Sequence, residues 1–371
     1  MNFKRLKMLT IIYSRLKVMA FFLKQGKFRE VYNYLWVHAF TKDSGLALLD
    51  PLLKIFPSLA PYPQQIEVEI TTRCHLQCTI CEHTYWNEPS ADMSLEQFKN
   101  ILNQFPGLKW LGLTGIGSNM LNKDFFEMLA YAKSRHIYTE FFDTFDLINE
   151  ENAEKLIRLG VEKIWMSIDG ATKPTYDRIR VGTTFEKVTG NARKLMELKK
   201  KLGSPVPEIW FHYIINKDNY KELPLFVELV AGIVSNGTNP ATMIYFTNLL
   251  SFDEVKDMAA ELPKDIIDAT YRAAKKHGIY LGWNPNIKPV KPITECTRWT
   301  EPFILSTGHI QSCCAINEAN TRAYQKEHAL ANLNETHFSK IWKKEYKNLV
   351  RDIHNNKLPA ICKHCRVFLH D

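Results

Sequence analysis

The hydrophobic pattern of the chain changes its period close to residue 60. Before that point apolar residues recur at helical spacing and form one stripe, which consists of Met8, Ile12, Leu16, Met19 and Leu23. A second helical pattern covers 27–40, and prolines at 57, 61 and 63 mark the end of this segment. We therefore predict that the first 60 residues are helical.

Short runs of β-branched and aromatic residues alternate with helical patterns after residue 63. The predicted strands are 66–70, 109–114, 137–142, 163–168, 208–215 and 242–246. One predicted helix begins at the capping pattern Ser94-Leu95-Glu96-Gln97, and the others cover 125–135, 149–159, 185–201, 225–235 and 266–277. This alternation predicts an α/β fold with a parallel sheet, helices outside it and functional loops at the carboxyl ends of the strands.

The regular alternation ends near Lys288, and five of the eight cysteines lie in the last 76 residues. No internal repeat or low-complexity tract interrupts the chain. We therefore predict three domains: a basic helical extension at 1–62, a central α/β domain at 63–287 and a small cysteine-rich domain at 288–371.

Composition and charge exclude several classes of protein. The chain has 371 residues, 45% of them hydrophobic and 24% charged, and a mean hydropathy of −0.25, which excludes a disordered chain and a polytopic membrane protein. The net charge is +8, and residues 1–60 hold ten Lys or Arg against three acids. Because the basic charge is confined to one end, we predict no nucleic-acid partner.

The basic N-terminus lacks the features of an export signal, because Arg15 and Lys17 interrupt its apolar run and no cleavage site follows. The apolar run 18–23 is far shorter than the roughly 20 residues that span a bilayer. We therefore predict a cytoplasmic protein. The basic helix either packs on the body of the protein or makes a peripheral contact with anionic lipid or an acidic partner.

Three cysteines, Cys74, Cys78 and Cys81, lie in one short loop directly after the first predicted strand. Thiolates at this C-x3-C-x2-C spacing can hold three irons of an iron–sulfur cube and leave the fourth iron open to another molecule. The alternative is a zinc site, for which His75 or His83 would supply a fourth ligand.

Residues 64–285 resemble the radical SAM superfamily at three ordered motifs. These are the segment 67–74 that enters the cysteine loop, the segment 113–122, and Ser167-Ile168-Asp169-Gly170 together with 176–182 and Asn191. The resemblance implies a partial (β/α)6 TIM-type barrel and an enzyme with a [4Fe–4S] cluster on the three loop cysteines. It also implies that S-adenosylmethionine (SAM) binds at the open iron.

The same resemblance implies which residues hold SAM. Ser167 and Arg180 would bind its carboxylate, for which a hydroxyl and a guanidinium are suitable donors. In the second motif Ser118 and Asn119 replace the acidic residue that is usual in the family. The predicted contacts to the rest of SAM are Gly115, Gly117, Ser118, Asn119 and, at the ribose, His212. The alternative for His212 is a histidine satisfied within the core.

A second group of cysteines is similar to the SPASM extension of that superfamily in its shortened form. A C-x11-G-x4-C pattern leads from Cys296 to Cys313, and a C-x2-C pattern contains Cys362 and Cys365. The resemblance implies that these four thiolates hold an auxiliary [4Fe–4S] cluster, with a zinc site as the alternative.

Cys314 is left over beside this predicted site. Its alternatives are a small buried side chain, a ligand in place of Cys313, or a hydrogen donor to a substrate radical. The last of these is the catalytic role that we predict for it.

The resemblance also implies a reaction. A flavodoxin or ferredoxin would reduce the first cluster, and the cleavage of SAM would give a 5′-deoxyadenosyl radical that abstracts a hydrogen atom from the substrate. The auxiliary cluster would accept the substrate's electron or organise the substrate. We predict peptide modification by crosslinking or epimerisation. The alternatives are oxidation or rearrangement of a small molecule or lipid, and a non-catalytic iron–sulfur or zinc scaffold.

Overall fold

The computed structural model describes residues 3–40, 56, 62–238, 242–250, 252–283, 285, 301–314, 321–355 and 357. Its strands are β1 (Gln65–Val68), β2 (Trp110–Leu113), β3 (Tyr138–Asp143), β4 (Lys163–Ser167), β5 (Glu208–Ile215), β6 (Met243–Asn248), β7 (Tyr280–Gly282), β8 (Phe303–Ile304), β9 (His309–Gln311) and β10 (Ala331–Asn332). Its helices are α1 (Phe3–Lys24), α2 (Phe28–Phe40), α3 (Leu95–Asn103), α4 (Phe125–Ser134), α5 (Glu150–Leu159), α6 (Lys173–Ile179), α7 (Phe185–Lys201), α8 (Leu223–Ile233), α9 (Lys264–His277), α10 (Arg322–Glu327), α11 (Phe338–Ile341) and α12 (Lys347–His354).

The chain divides into two compact units. The first unit consists of Met1–Phe28, Cys74–Trp86 and Glu140–Ile287, and the second consists of Arg29–Arg73, Asn87–Thr139 and Lys288–Asp371. These units group residues by contact, whereas the predicted domains 1–62, 63–287 and 288–371 are continuous pieces of chain. The three domain boundaries therefore stay a prediction.

A parallel sheet forms the centre of the first unit, with its strands in the order β3, β4, β5, β6 and β7. Alternate residues of these strands are fully buried, as in Phe211 and Tyr213 of β5. Helix α8 packs on this face through Phe226, whose ring centroid lies 6.5 Å from that of Phe211 and 4.6 Å from that of Tyr213. The predicted parallel sheet with outer helices is therefore confirmed.

Local signals fix the ends of α5 in the first unit. The side chain of Asn149 accepts a hydrogen bond of 2.9 Å from the backbone N–H of Asn152, which caps the start of the helix. Gly160 ends the helix in the left-handed region at φ 74°, which glycine adopts without steric cost. The predicted helix 149–159 is confirmed at both ends.

The second unit is built round β1. This strand pairs in parallel with β2 on one side and with β8 on the other, and β8, β9 and β10 continue as an antiparallel meander. Gly308 turns the chain between β8 and β9 at φ 86°, and a Cβ there would lie 2.2 Å from the amide nitrogen of Asn334. No sequence pattern predicts that this C-terminal hairpin pairs with β1.

Glu69 follows β1 and is fully buried in the second unit. Its carboxylate accepts hydrogen bonds of 2.7 and 3.0 Å from Arg322 and of 3.0 Å from the hydroxyl of Ser306. The backbone N–H of Ile116 donates a further bond of 3.3 Å. A buried carboxylate is stable only when it is paired in this way, so Glu69 ties the C-terminal segment and the loop after β2 to the end of β1.

Helices α1 and α2 confirm the predicted helical segment over 3–40, and the rest of it, apart from residue 56, lies outside the described residues. In the first unit α1 buries Val18 and Phe22, which are 0% and 1% exposed. The predicted stripe lies on another side of the helix, because Ile12, Leu16 and Leu23 are 44%, 53% and 47% exposed. Helix α1 therefore packs through Val18 and Phe22 rather than through these three residues, and the choice between packing and peripheral contact stays a prediction. None of the described helices combines the length and the apolar character needed to cross a bilayer.

The Glu69–Arg322 pair predicts a large loss of stability when one partner is removed. Arg322→Met would leave a buried carboxylate without its cation, and we expect the free energy of unfolding to fall by about 3–5 kcal/mol. Denaturant unfolding measures this change, and Glu69→Gln/Arg322→Met should recover part of it. Arg158→Met, which breaks an exposed pair with Glu154, is the control with less than about 1 kcal/mol. Equal effects of the two single variants would contradict the prediction.

Candidate active site

The cysteine loop of the first unit is held by its own backbone and by the end of α6. The N–H groups of Gln77 and Thr79 donate to the carbonyls of Val181 and Ile179, at 2.8 and 2.9 Å. The hydroxyl of Thr84 donates to the carbonyl of Cys78 at 2.7 Å. These bonds fix the positions of the cysteines without using their sulfur atoms.

Cys74, Cys78 and Cys81 are thiols that form no disulfide, and Cys78 is buried. Burial raises the pKa of all three thiols, and that of Cys81 reaches about 12. The charge of Cys78 also raises the pKa of Cys74 and of Cys81. Such thiols bind as thiolates only to a strongly positive centre, and iron of a [4Fe–4S] cluster supplies one. The donor set therefore fits the predicted cluster.

The zinc alternative for this loop requires His75 or His83 as a fourth ligand, and the first of these is engaged elsewhere. His75 uses its Nε2 in a hydrogen-bonded contact with Asp146, so this nitrogen is already engaged. A zinc ion needs its ligands within about 2.0–2.3 Å. Within the described part of the chain, no three His, Cys, Asp or Glu side chains converge as a single ion would require.

A buried ion pair lies beside the cysteines. Nε and Nη2 of Arg180 contact Oδ2 of Asp169 at 2.6 and 2.5 Å, and the third guanidinium nitrogen, Nη1, lies 3.9 Å from Sγ of Cys78. Burial opposes the charge of Arg180, but Asp169 and Cys78 raise its pKa above the ordinary arginine value. Oδ1 of Asp169 accepts a 2.7 Å bond from the N–H of Ile214. Arg180 is therefore a fixed cation next to the predicted cluster.

Ser167, the last residue of β4, is the register partner of His212 in the middle of β5. Nε2 of His212 forms a 2.8 Å hydrogen bond with the hydroxyl of Thr247, and burial lowers its pKa to about 4. Asp169 and Arg180 both act on this pKa. His212 is therefore neutral at physiological pH and lies within electrostatic reach of the ion pair.

One face of the first unit's sheet carries large aromatic rings that are only partly buried. The ring of Trp165 stacks on Phe142 at 5.3 Å and meets the edge of Trp210 at 5.0 Å. Tyr245 stacks on His212 at 5.7 Å and is 40% exposed. Sequence reasoning missed the rings of Phe142, Trp165 and Trp210. Their signal is the alternation along each strand, since Phe142, Trp165 and Trp210 occupy one register row.

A buried carboxyl at the end of β3 was also absent from the sequence predictions. Asp143 accepts a 2.6 Å bond at Oδ1 from the N–H of Phe145, and its buried Oδ2 has no partner among the described residues. Burial raises the pKa of Asp143 to about 7, and the charge of Asp146 adds to this rise. The predicted strand 137–142 ends one residue before Asp143, so the strand pattern does not mark this carboxyl as buried.

The predicted SAM contacts of the second motif lie in the second unit. Gly115 has φ 149°, and a Cβ there would lie 2.5 Å from Cγ of Glu69. A Cβ at Gly117 would lie 2.3 Å from the carbonyl oxygen of Thr71, so neither position has room for a side chain. The amide of Asn119 donates to the carbonyl of Leu113 at 3.1 Å and stabilises the loop.

Ser118 is also held in this loop of the second unit, because its N–H donates to the carbonyl of Arg73 at 2.8 Å. Cys313 and Cys314 follow β9 and are half-buried. The other predicted ligands of the auxiliary cluster, Cys296, Cys362 and Cys365, lie outside the described residues. The choice between Cys313 and Cys314 stays a prediction.

Family models match two parts of the chain. The model of the radical SAM superfamily matches residues 68–230, which include Cys74, Cys78, Cys81 and Arg180. The model of the iron–sulfur cluster-binding domain SPASM matches residues 296–366. The chain belongs to the radical SAM superfamily. Its cofactors are SAM and [4Fe–4S] clusters, as predicted.

Individual relatives match over part of their length. The tungsten-containing aldehyde ferredoxin oxidoreductase cofactor-modifying protein of Pyrococcus furiosus is 28% identical over 226 residues, which are 58% of this chain and 60% of that protein. The PqqA peptide cyclase of Granulibacter bethesdensis is 26% identical over 189 residues, 50% of this chain and 48% of that protein. This radical SAM chain thus spans about half to three fifths of these curated relatives.

A solved structure shares the fold. Streptococcus suis SuiB bound to S-adenosylmethionine superposes with a TM-score of 0.61 at 14% identity, over 90% of this chain and 79% of SuiB. The mostly parallel α/β sheet and this likeness confirm the predicted fold class. The roles of the individual residues in cofactor binding stay predictions.

The contact between Arg180 and the cysteine loop predicts a role in SAM binding. Arg180→Gln removes the cation beside Cys78, and we expect SAM to bind the reconstituted protein roughly 10- to 100-fold more weakly, the range for one charged hydrogen bond. Equilibrium binding of SAM measures this change. Asp169→Asn/Arg180→Gln avoids an unpaired buried acid, and Arg178→Gln on the exposed side of α6 is the control. SAM affinity equal to wild type in both Arg180 variants would contradict the assignment.

The raised pKa of Asp143 predicts a pH-dependent stability. Its carboxyl favours the folded state most below pH about 4, and this contribution is lost as pH rises through its folded pKa of about 7. The free energy of unfolding of wild type, minus that of Asp143→Asn, should therefore fall by up to about 4 kcal/mol between these pH values. Denaturant unfolding across this range measures it. Glu150→Gln, at an exposed position, is the control, and parallel curves for wild type and Asp143→Asn would contradict the prediction.

Proposed function

We propose that this radical SAM enzyme modifies a peptide at a carbon atom bound near the aromatic face of the first unit. The observation that carries the proposal is this face: Phe142, Trp165, Trp210 and Tyr245 present partly exposed rings from four adjacent strands. Rings of this size bind apolar and aromatic side chains and exclude water from their surface. The similarity to a peptide cyclase supports the same reading.

The proposed roles divide among the predicted residues. Cys74, Cys78 and Cys81 would hold one cluster, and Ser167 with Arg180 would bind the SAM carboxylate. Gly115, Gly117, Ser118 and Asn119 would contact the rest of SAM, and neutral His212 would accept or donate a hydrogen bond at the ribose. When bound, the reduced cluster and SAM supply a 5′-deoxyadenosyl radical that abstracts a hydrogen atom.

The C-terminal cysteines complete the proposal. Cys296, Cys313, Cys362 and Cys365 would hold the auxiliary cluster, and Cys314 would donate a hydrogen atom when the product is epimerised. The electron donor would be a flavodoxin or ferredoxin, and the protein would act in the cytoplasm, where thiols stay reduced.

A second candidate function is the modification of a small molecule or cofactor. The Pyrococcus furiosus relative, which matches 58% of this chain, is a cofactor-modifying protein. The aromatic face fits a planar cofactor as well as a peptide side chain. The two candidates differ in which compound loses the hydrogen atom.

Transfer of deuterium separates the two candidates. The reconstituted protein is reduced with SAM in the presence of deuterated candidate peptides or small molecules, and 5′-deoxyadenosine is examined by mass spectrometry. We expect deuterium from a peptide. Deuterium from small molecules alone would reject the peptide proposal and support the second candidate.

Variants test the assigned residues in the same assay. The triple variant Cys74→Ala/Cys78→Ala/Cys81→Ala should form no 5′-deoxyadenosine. Trp165→Ala should still form it but give at least about tenfold less modified peptide, because the substrate loses an apolar contact of roughly 1.5–3 kcal/mol. Tyr271→Ala on helix α9 is the control. Unchanged product from Trp165→Ala would remove the aromatic face from the proposal.

A further inference from the structure

A basic cavity lies within the first unit, beside the segments that lead into the starts of β5 and β6. Its volume is about 410 Å³, and it is formed by α1, the end of α7 and the segments that contain Ser204 and Thr238. Four lysines line it, namely Lys17, Lys24, Lys199 and Lys200, and no acidic residue is among the lining residues. Lys17, Lys24 and Lys200 concentrate positive charge that attracts an anion, whereas burial lowers the pKa of Lys199 to about 7.

The side chains around the cavity suit an anionic group of moderate size. Nζ of Lys199 is buried and donates a 2.5 Å bond to the carbonyl of Pro207, so this lysine is part of the wall. Lys17, Lys24 and Lys200 are exposed and have ammonium groups that can turn towards a ligand. Gly203 borders the cavity in the left-handed region at φ 62°, with open space where a Cβ would lie.

An apolar stripe runs along the same helix beside the cavity. Ile12, Leu16 and Leu23 are 44%, 53% and 47% exposed, although each is a large apolar side chain. At 100° per residue, this stripe lies about 100° round α1 from Lys17 and Lys24. One exposed side of the helix therefore presents lysines at the mouth of the cavity and apolar side chains next to them.

We propose that α1 and this cavity bind the phosphate headgroup of an anionic phospholipid at a membrane surface. The stripe would enter the boundary between headgroups and acyl chains, and Lys17, Lys24 and Lys200 would contact the phosphate. The charge of the segment fits this occupant, because the first 29 residues contain eight Lys or Arg and no acid. A free phosphate would use the lysines but would leave the apolar stripe in water.

The proposal is independent of the reaction that the enzyme catalyses. It concerns an outer helix and lysines that touch neither the cysteine loop nor the aromatic face. Its test therefore uses the full reconstituted chain without reductant or substrate, and its failure would leave the proposed function intact.

The test is sedimentation with vesicles. The protein should bind vesicles of phosphatidylglycerol and phosphatidylcholine, bind less as salt rises, and bind pure phosphatidylcholine at least about tenfold more weakly. Lys17→Gln/Lys24→Gln should weaken binding to the anionic vesicles roughly 30-fold, since each basic residue near such a surface contributes about 1 kcal/mol. The matched control Lys187→Gln/Lys256→Gln changes the same charge at exposed positions elsewhere in the first unit.

Two further measurements show whether the cavity and the apolar stripe bind a phospholipid or the cavity binds a free anion. Leu16→Ser/Leu23→Ser keeps every charge, and its binding should also weaken at least about tenfold because the apolar contact is lost. Inorganic phosphate is the probe for a free anion, with its binding followed by the thermal unfolding midpoint. Stabilisation by phosphate without vesicle binding would overturn the membrane proposal in favour of a soluble anion. Equal loss in the control pair, or no vesicle binding at all, would also overturn it.

Discussion

A carboxylate removed from water must be compensated by cations and hydrogen bonds, and each unit of this protein is organised round one such carboxylate. In the first unit Asp169 is fully buried and joins the end of β4 to β5 through Ile214 and to Arg180 after α6. In the second unit Glu69 joins β1 to the C-terminal segment through Arg322. In its own unit, each acid lies next to residues that are predicted to contact the cofactor.

In the first unit, the cysteine loop, Arg180 and the sheet face each have a different predicted role. The cysteine loop is fixed through its backbone, which leaves the three sulfur atoms available for iron. The guanidinium next to them is held by Asp169, so its direction is set before any ligand binds. The sheet face beyond it carries four partly exposed aromatic rings. Lys163, which is paired with Glu140, lies over the rings of Trp165 and Trp210 on the same face.

Helix α1 carries a surface of lysines and apolar side chains that is separate from the residues with predicted roles in catalysis. Helix α1 is attached to the first unit by Val18 and Phe22, while Ile12, Leu16 and Leu23 stay exposed. An exposed apolar side next to lysines is costly in water unless a second phase or partner covers it. Its place on the outside of the unit keeps this surface apart from the aromatic face.

The sequence alone determined the α/β alternation, the cysteine loop and the family, because these depend on local periodicity, spacing and short motifs. The predicted strand 208–215 matches β5, and the helix after Asn149 ends at the predicted Gly160. Only the tertiary structure decided which residues meet across the chain. Glu69 and Arg322 are separated by 253 positions, and no local pattern relates them. The aromatic row and the exposed side of α1 likewise depend on strand register and on the rotation of a helix, which long-range packing sets.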